Sequence, residues 1–296
     1  MSYVGRFAPS PTGPLHAGSL LTAVASFLHA RQAGGEWLVR IEDIDPPREM
    51  PGATDDILRT LEAYDLHWDR SVLRQSTRLD AYAAACHRLV EQGLAFRCRC
   101  SRSQLRALAE GHDGPVGYPG TCRSLGLSDE DSAIRMRVDG PWPPFDDGLQ
   151  GRFEPRPVPG FGDYVIWRRD GLPAYHLAVV IDDAYQGITT IVRGRDLLDC
   201  VPAQRHLQRA LGVPEPAYLH LPILIGPTGQ KLSKQTGARP VDAHEPSRAS
   251  IETLRRLGAE PPRELYGARP AELWDWAIAH WRIEALRGIA EIPCED

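Results

Sequence analysis

No stretch of this chain is apolar for long enough to span a bilayer, and the N-terminus, MSYVGRFAPS, has no apolar core of the kind a secretory signal needs. The expected location is therefore the cytoplasm, with no membrane partner. Cysteine is too sparse for a disulfide scaffold. The six are Cys86, Cys98, Cys100, Cys122, Cys200 and Cys294 in 296 residues, which points to reduced thiols. Neither sign of charge dominates. A net charge of −5 excludes indiscriminate polyanion binding, while leaving room for a local basic patch. The chain has no internal repeat and no low-complexity tract.

What is present reads as α/β. The chain is long enough for one large domain or two smaller ones with a sizeable core. Val4–Phe7 has the texture of a strand, Ser19 can cap a helix running to about Ala33, Gly34-Gly35 ends it, and Trp37–Ile41 is a buried strand. This is a strand-helix-strand unit of the parallel kind. Thr54 opens a further helix, and Leu79–Gln92 is another, closed by Gly93. From Phe96 to about Gly162 the chain is rich in Gly, Pro, Arg and Asp with short β-like pieces, and reads as an inserted module. Regular signals then return. YHLAVVIDDA and ITTIVRG are expected as strands or strand ends, LLDCVPAQRHLQRALG as a helix and Leu219–Ile225 as one short strand, with helices beyond Gly237.

Three segments carry chemistry. PSPTGPLHAGS, Pro9 to Ser19, lies between the first strand and the first helix, at the carboxyl edge where ligands of parallel sheets bind. A helix N-terminus there suits a phosphate, Gly18 permits close backbone approach, and His16 can donate to a phosphoryl oxygen. The prolines preset the loop. KLSKQ, Lys231 to Gln235, places two lysines around a serine in a Gly-bounded loop, suited to neutralising phosphates during displacement at phosphorus. The third segment is Cys98-x-Cys100 followed by Cys122, three thiols in an arginine-rich run, which reads as a structural zinc site short of one ligand. His112 sits in the same loop and is a chemically usual candidate.

Together these motifs resemble the class I aminoacyl-tRNA synthetases in their glutamyl form. RFAPSPTGPLHAGSL is similar to the first family signature and KLSKQ to the second, with VRIEDIDPPRE and YHLAVVIDDAYQGITTIVRGRDLLD matching between them. Ser19 stands where the general signature has its second histidine, and Leu232 and Gln235 replace its Met and Ser. The sequence stops at Asp296, where full glutamyl-tRNA synthetases continue into an anticodon-binding domain, so the resemblance is to the truncated, glutamyl-queuosine branch. That resemblance implies a Rossmann-type parallel-sheet catalytic domain in two halves, residues 1–95 and 175–237. It also implies an inserted zinc-binding α+β module at 96–174, a helical stem-contact-like segment at 238–296, and no anticodon-binding domain. Its glutamate site maps onto Arg6, Phe7, Ala8, Pro9, Ser10, Glu42, Tyr175 and Arg193. Its ATP site maps onto His16, Gly18, Ser19, Lys231, Ser233 and Lys234, with His16 and Lys234 catalytic and Mg²⁺ accompanying ATP. Its zinc ligands map onto Cys98, Cys100, Tyr118 and Cys122. Physically, Arg6 and Arg193 are suited to paired hydrogen bonds with carboxylates, and Glu42 to an ammonium group.

The implied activity is ATP-dependent, tRNA-independent activation of L-glutamate and its transfer to the queuosine base in the anticodon of tRNA(Asp). A monomer is the working expectation. The rival readings are charging of a tRNA 3′ end, adenylation of a small carboxylate for ligation to an amine, and a non-catalytic tRNA-binding module. Arg97, Arg99, Arg102 and Arg106 are one candidate RNA surface, and Arg248, Arg255 and Arg256 another.

Overall fold

The computed structural model describes residues 2–109, 117–127, 131–155, 162–232 and 239–294. Strand β1 (Val4–Phe7) leads into helix α1 (Ala17–Gln32), which returns the chain to β2 (Glu36–Ile41), parallel to β1 with Arg6 opposite Leu38. The short β3 (Leu73–Arg74) continues this sheet beyond β2. On the other side of β1 lie β9 (Thr190–Gly194) and β10 (Ala217–Leu221), parallel to each other with Arg193 opposite His220. Thr189 N donates to Val4 O at 2.9 Å, setting β9 alongside β1. The order across the layer is therefore β3-β2-β1-β9-β10. Connections leave β1 in opposite directions, which opens a crevice at its carboxyl end.

Strand alternation divides the side chains between two faces. Phe7, Val39, Ile41, Val192 and Leu221 face α1, whose Leu20, Leu21, Val24 and Leu28 are all buried. Helices α7 (Pro246–Arg256) and α8 (Pro270–His280) cover the far side of α1. Trp37, Trp274 and Trp281 are almost wholly buried in this core. Each indole N–H needs a partner there and has one: Ser26 Oγ at 2.9 Å, Tyr64 O at 2.7 Å and Leu257 O at 2.8 Å.

The opposite face carries Val4, Arg6, Leu38, Arg40, Ile191, Arg193, Tyr218 and His220. It is covered by helix α5 (Tyr175–Gln186) and helix α6 (Val201–Leu211). Gly187 closes α5 in the left-handed region (φ 70°), which a glycine adopts without strain, and turns the chain into β9. Helix α2 (Ala53–Ala63) follows β2, and helix α3 (Leu79–Glu91) packs against α5.

Antiparallel pieces occupy the middle of the chain. Strands β4 (Ala95–Cys98), β5 (Ala133–Met136) and β8 (Tyr164–Trp167) form one sheet, with helix α4 (Arg102–Ala109) after β4. A hairpin of β6 (Phe145–Asp147) and β7 (Gly151–Phe153) lies against β10. Near the end, β11 (Ile223–Ile225) pairs in parallel with β12 (Glu291–Pro293).

Five local expectations change. YHLAVVIDDA is helix α5 rather than a strand. Its apolar run reads like a buried strand by composition; in the helix, Asp183 meets Arg40 of the sheet while Asp182 meets Arg78 beside α3. Leu219–Ile225 is two strands, broken at Pro222, which has no N–H for the ladder. The helix expected from Leu197 begins only at Val201, after a 3₁₀ turn over Arg195–Cys200. The cap of α1 is His16 rather than Ser19, and α2 is entered from Gly52 rather than capped by Thr54.

Candidate active site

Elementary electrostatics dictates the centre of the site. Arg6 and Arg40 sit on neighbouring strands of a covered face, so each charge must be paired or hydrogen-bonded. Asp183 on α5 supplies the shared partner. Its Oδ1 accepts from Arg40 Nη1 at 2.7 Å and from Arg6 Nε at 3.3 Å. Arg40 also donates to Gln186 Oε1 at 3.0 Å and Glu42 Oε1 at 3.2 Å. Burial alone would raise the Asp183 pKa, but the two guanidiniums outweigh it and hold the carboxyl below its usual range. Glu42 goes the other way. Burial raises its pKa, and Arg40 and Arg6 only partly offset that.

Across the β1–β9 junction stands Arg193, 3% exposed. Its Nε donates to His220 Nε2 at 3.0 Å, and Nη2 donates to Gln204 Oε1 at 2.9 Å and Leu197 O at 3.1 Å. Nη1 reaches the hydroxyl of Tyr175 at 3.4 Å. Tyr175 is the first residue of α5, so its ring stands at the carboxyl edge of the sheet. Burial raises its phenol pKa, and the charges of Arg193, Glu42 and Arg6 all act on it. Arg6, Glu42, Tyr175 and Arg193 are thus gathered around one spot. Two cations and one anion converging there match an amino acid with two carboxylates and one ammonium group.

The loop after β1 is tied into this arrangement. Glu42 N donates to Pro9 O and Met50 N to Pro11 O, at 3.0 and 2.9 Å. The Phe7 ring stacks near Trp37 on the α1 face, so Phe7 has only its backbone to offer a ligand. Ala8 and Pro9 are half-buried and Ser10 is exposed.

His16 refines the expectation for the phosphate end. Its Nδ1 accepts from Gly18 N at 3.1 Å and Ser19 N at 3.4 Å. The proton therefore sits on Nε2, the orientation in which the ring donates outward. A Cβ at Gly18 would lie 3.1 Å from the imidazole, so the glycine gives room to this cap. Lys231 Nζ lies 2.5 Å from Asp196 Oδ2, and Leu232 is buried. Ser233, Lys234 and Gln235 lie outside the described residues, as does His112.

The thiol cluster assembles at one end of the β4 sheet. The Sγ atoms of Cys98, Cys100 and Cys122 all lie within 4.8 Å of one another, with Cys100 and Cys122 3.6 Å apart. Tetrahedral thiolates on zinc sit about 3.8 Å apart, given a Zn–S bond near 2.3 Å. The Tyr118 hydroxyl is 3.4 Å from Cys98 Sγ and 3.7 Å from Cys100 Sγ, and it accepts from Cys122 N at 2.8 Å, which places a fourth donor, an oxygen, beside the three thiols. Arg135 donates to Cys98 Sγ at 3.4 Å and lies over the Tyr118 ring, a cation suited to thiolates. Cys86, Cys200 and Cys294 are not part of this cluster.

The expected arginine surfaces are partly spoken for. Arg97 donates to Ser132 Oγ, while Arg248 and Arg256 pair with Glu252 and Arg255 with Glu260. Sequence reasoning missed Arg40, Asp183, Gln204, His220 and Asp147. The available signals were a lone arginine in WLVRI, a paired aspartate in an apolar helix and a histidine in LHLPILI.

Residues 3–266 match the family model described as tRNA synthetases class I (E and Q), catalytic domain. The chain is 52% identical over 293 residues to the glutamyl-Q tRNA(Asp) synthetase of Ectopseudomonas mendocina, covering 98% of each chain. It is 51% identical over 294 residues to that of Pseudomonas aeruginosa, covering 99% of this chain and 98% of that one. In fold it is similar to a glutamate tRNA ligase from Elizabethkingia meningosepticum, solved in complex with its amino acid. The TM-score is 0.79 at 25% identity, over 98% of this chain and 67% of that one.

Proposed function

The chain belongs to the class I tRNA synthetases of the glutamate and glutamine type, and from that premise we propose that it activates L-glutamate with ATP, without tRNA, and passes it to the queuosine base of tRNA(Asp). The observation that carries the amino acid is the convergence of Arg6, Glu42, Tyr175 and Arg193 at the carboxyl end of β1 and β9. The acceptor follows from the names of relatives matched over almost their whole length.

In this reading Arg6 and Arg193 take the substrate's carboxylates, Glu42 its ammonium group, and the backbone from Phe7 to Ser10 lines the pocket. The α-carboxylate attacks the α-phosphorus of ATP. The bond to pyrophosphate breaks, and the leaving group departs with its electron pair; Mg²⁺ accompanying ATP would offset the charge on it. His16, through Nε2–H, and Lys234 stabilise the charge that develops, while Gly18, Ser19, Lys231 and Ser233 position the triphosphate. A hydroxyl of the queuosine ring then attacks the acyl carbon and AMP leaves. No covalent enzyme intermediate is required.

Residues 1–95 and 175–237 form the two halves of the catalytic domain, 96–174 the insert and 238–296 the helical stem-contact-like part. Cys98, Cys100, Tyr118 and Cys122 would hold zinc as a structural ion that orders the insert and takes no part in the chemistry.

The test is transfer of labelled glutamate, with ATP, to two tRNA pools, one carrying queuosine and one from cells that cannot make it. Label confined to the first pool supports the reading. Equal label in both would mean 3′-end charging instead.

A further inference from the structure

The guanidinium of Arg193 is gripped from behind by a chain that leads away from the site. A guanidinium has only donors, so at 3.0 Å from Arg193 Nε the His220 Nε2 atom must accept. The imidazole proton is then on Nδ1, which donates to Asp147 Oδ2 at 2.6 Å. His220 and Asp147 are both without solvent exposure at the side chain. The other Asp147 oxygen accepts from the backbone N–H groups of Leu149, Gln150 and His220, at 3.0, 2.9 and 3.1 Å. Both oxygens of the carboxylate are therefore engaged, which fixes its orientation. Burial lowers the His220 pKa and Arg193 adds to that, against the pull of Asp147, which keeps the ring neutral.

Asp147 belongs to the β6–β7 hairpin, not to the parallel sheet. The hairpin is seated on the sheet by Phe145, which is buried with Ile191 and Tyr218, and by Gly148 N donating to Tyr218 O at 2.9 Å. Gln150 Nε2 donates to His220 O at 2.8 Å. The hairpin thus grips both the side chain and the backbone of His220.

We propose that Asp147 and His220 are positioning residues for Arg193: the β6–β7 hairpin sets the imidazole tautomer, and the imidazole holds the guanidinium edge so that Nη1 faces the substrate carboxylate. This rests on the reading that Arg193 binds glutamate. A merely structural pair would tie hairpin to sheet and leave substrate affinity alone. The positioning role makes a different demand, because it depends on which ring nitrogen carries the proton.

Asp147→Asn separates the two. It keeps the oxygen that accepts from the backbone and replaces Oδ2 with an N–H donor. His220 Nδ1 must then accept, its proton moves to Nε2, and Nε2–H meets the N–H of Arg193. His220→Gln keeps the original polarity, with a carbonyl for Arg193 and an amide N–H for Asp147. In glutamate-dependent ATP–pyrophosphate exchange, Asp147→Asn is expected to raise the KM for glutamate by about tenfold or more, the scale of one misdirected buried hydrogen bond. The KM for ATP should stay within about twofold, and His220→Gln should recover most of the glutamate affinity. Should Asp147→Asn not fold, His220→Leu against His220→Gln asks the same question. Only the leucine variant should lose glutamate. Arg193→Lys is the control. A glutamate KM raised in Arg193→Lys but unchanged in folded Asp147→Asn would overturn the positioning role and leave the glutamate reading standing. Equal rises for ATP and glutamate would also overturn it. An unchanged glutamate KM in Arg193→Lys would overturn the glutamate reading, and the positioning role with it.

Discussion

The charge cluster around Arg40 and the thiol cluster around Tyr118 fix functional atoms in opposite ways. The first draws on β1, β2 and α5, with partners separated by 177 residues at Arg6–Asp183 and 143 at Arg40–Asp183. It is backed by a large apolar core on the other side of the sheet. The second draws on a short span of chain and, among the described residues, has Phe96, Cys98, Tyr118 and Cys122 as its buried cluster. A core of that size gives little stability by itself. The first region is organised by long-range packing, and the second gathers three thiols that could hold a metal ion.

That contrast is best broken from the charged side first. Arg40→Met would leave Asp183 and Glu42 buried without their main cation. We expect a loss of about 3–5 kcal/mol of folding stability, read from denaturant unfolding. The thiol side should respond locally. Chelation, or Cys122→Ser, should release about one zinc per chain and raise amide exchange around residues 95–136, while glutamate-dependent pyrophosphate exchange largely persists. Absence of zinc from freshly purified protein would remove this half of the comparison.

Glu42 sharpens the difference between stability and function. Its pKa is raised, so its ionised form is penalised in the fold, and that penalty is present wherever pH exceeds the folded pKa. Glu42→Gln should therefore leave the neutral-pH melting temperature unchanged or slightly higher. The kcat/KM for glutamate should fall by roughly 100-fold, the loss expected when a buried charge partner is removed. Asp183 has the opposite sign. Its pKa is depressed, so its contribution is complete above the ordinary aspartate value and is lost as pH falls through the folded value. Urea midpoints measured from pH 6 to pH 3 should drop more steeply for the wild type than for Asp183→Asn. The smallest effect belongs to the half-exposed Lys231–Asp196 pair. Asp196→Asn should change stability by less than about 1 kcal/mol.

Much of this was legible in the chain itself. The loop Pro9–Ser19 announced a ligand edge because proline, glycine and histidine between a strand and a helix have few structural reasons to coincide. The three cysteines announced a metal-sized cluster. The helix α5 did not read correctly because Ala178-Val179-Val180-Ile181 suits a buried strand as well as a buried helix, and local periodicity cannot separate the two. Asp147 and His220 were invisible for another reason. They are 73 residues apart, and only the docking of a hairpin onto β10 makes them neighbours. Arg193 could be singled out as an arginine suited to carboxylates, but the residues that hold it could not.

The most direct test of the central claim is ATP–pyrophosphate exchange with L-glutamate and no RNA. Arg6, Glu42, Tyr175 and Arg193 all come from this chain's own strands β1 and β9, the residue after β2 and helix α5, and we expect exchange that depends on glutamate and does not rise when tRNA is added. Exchange that appears only with tRNA, or that proceeds equally well without glutamate, would contradict the account.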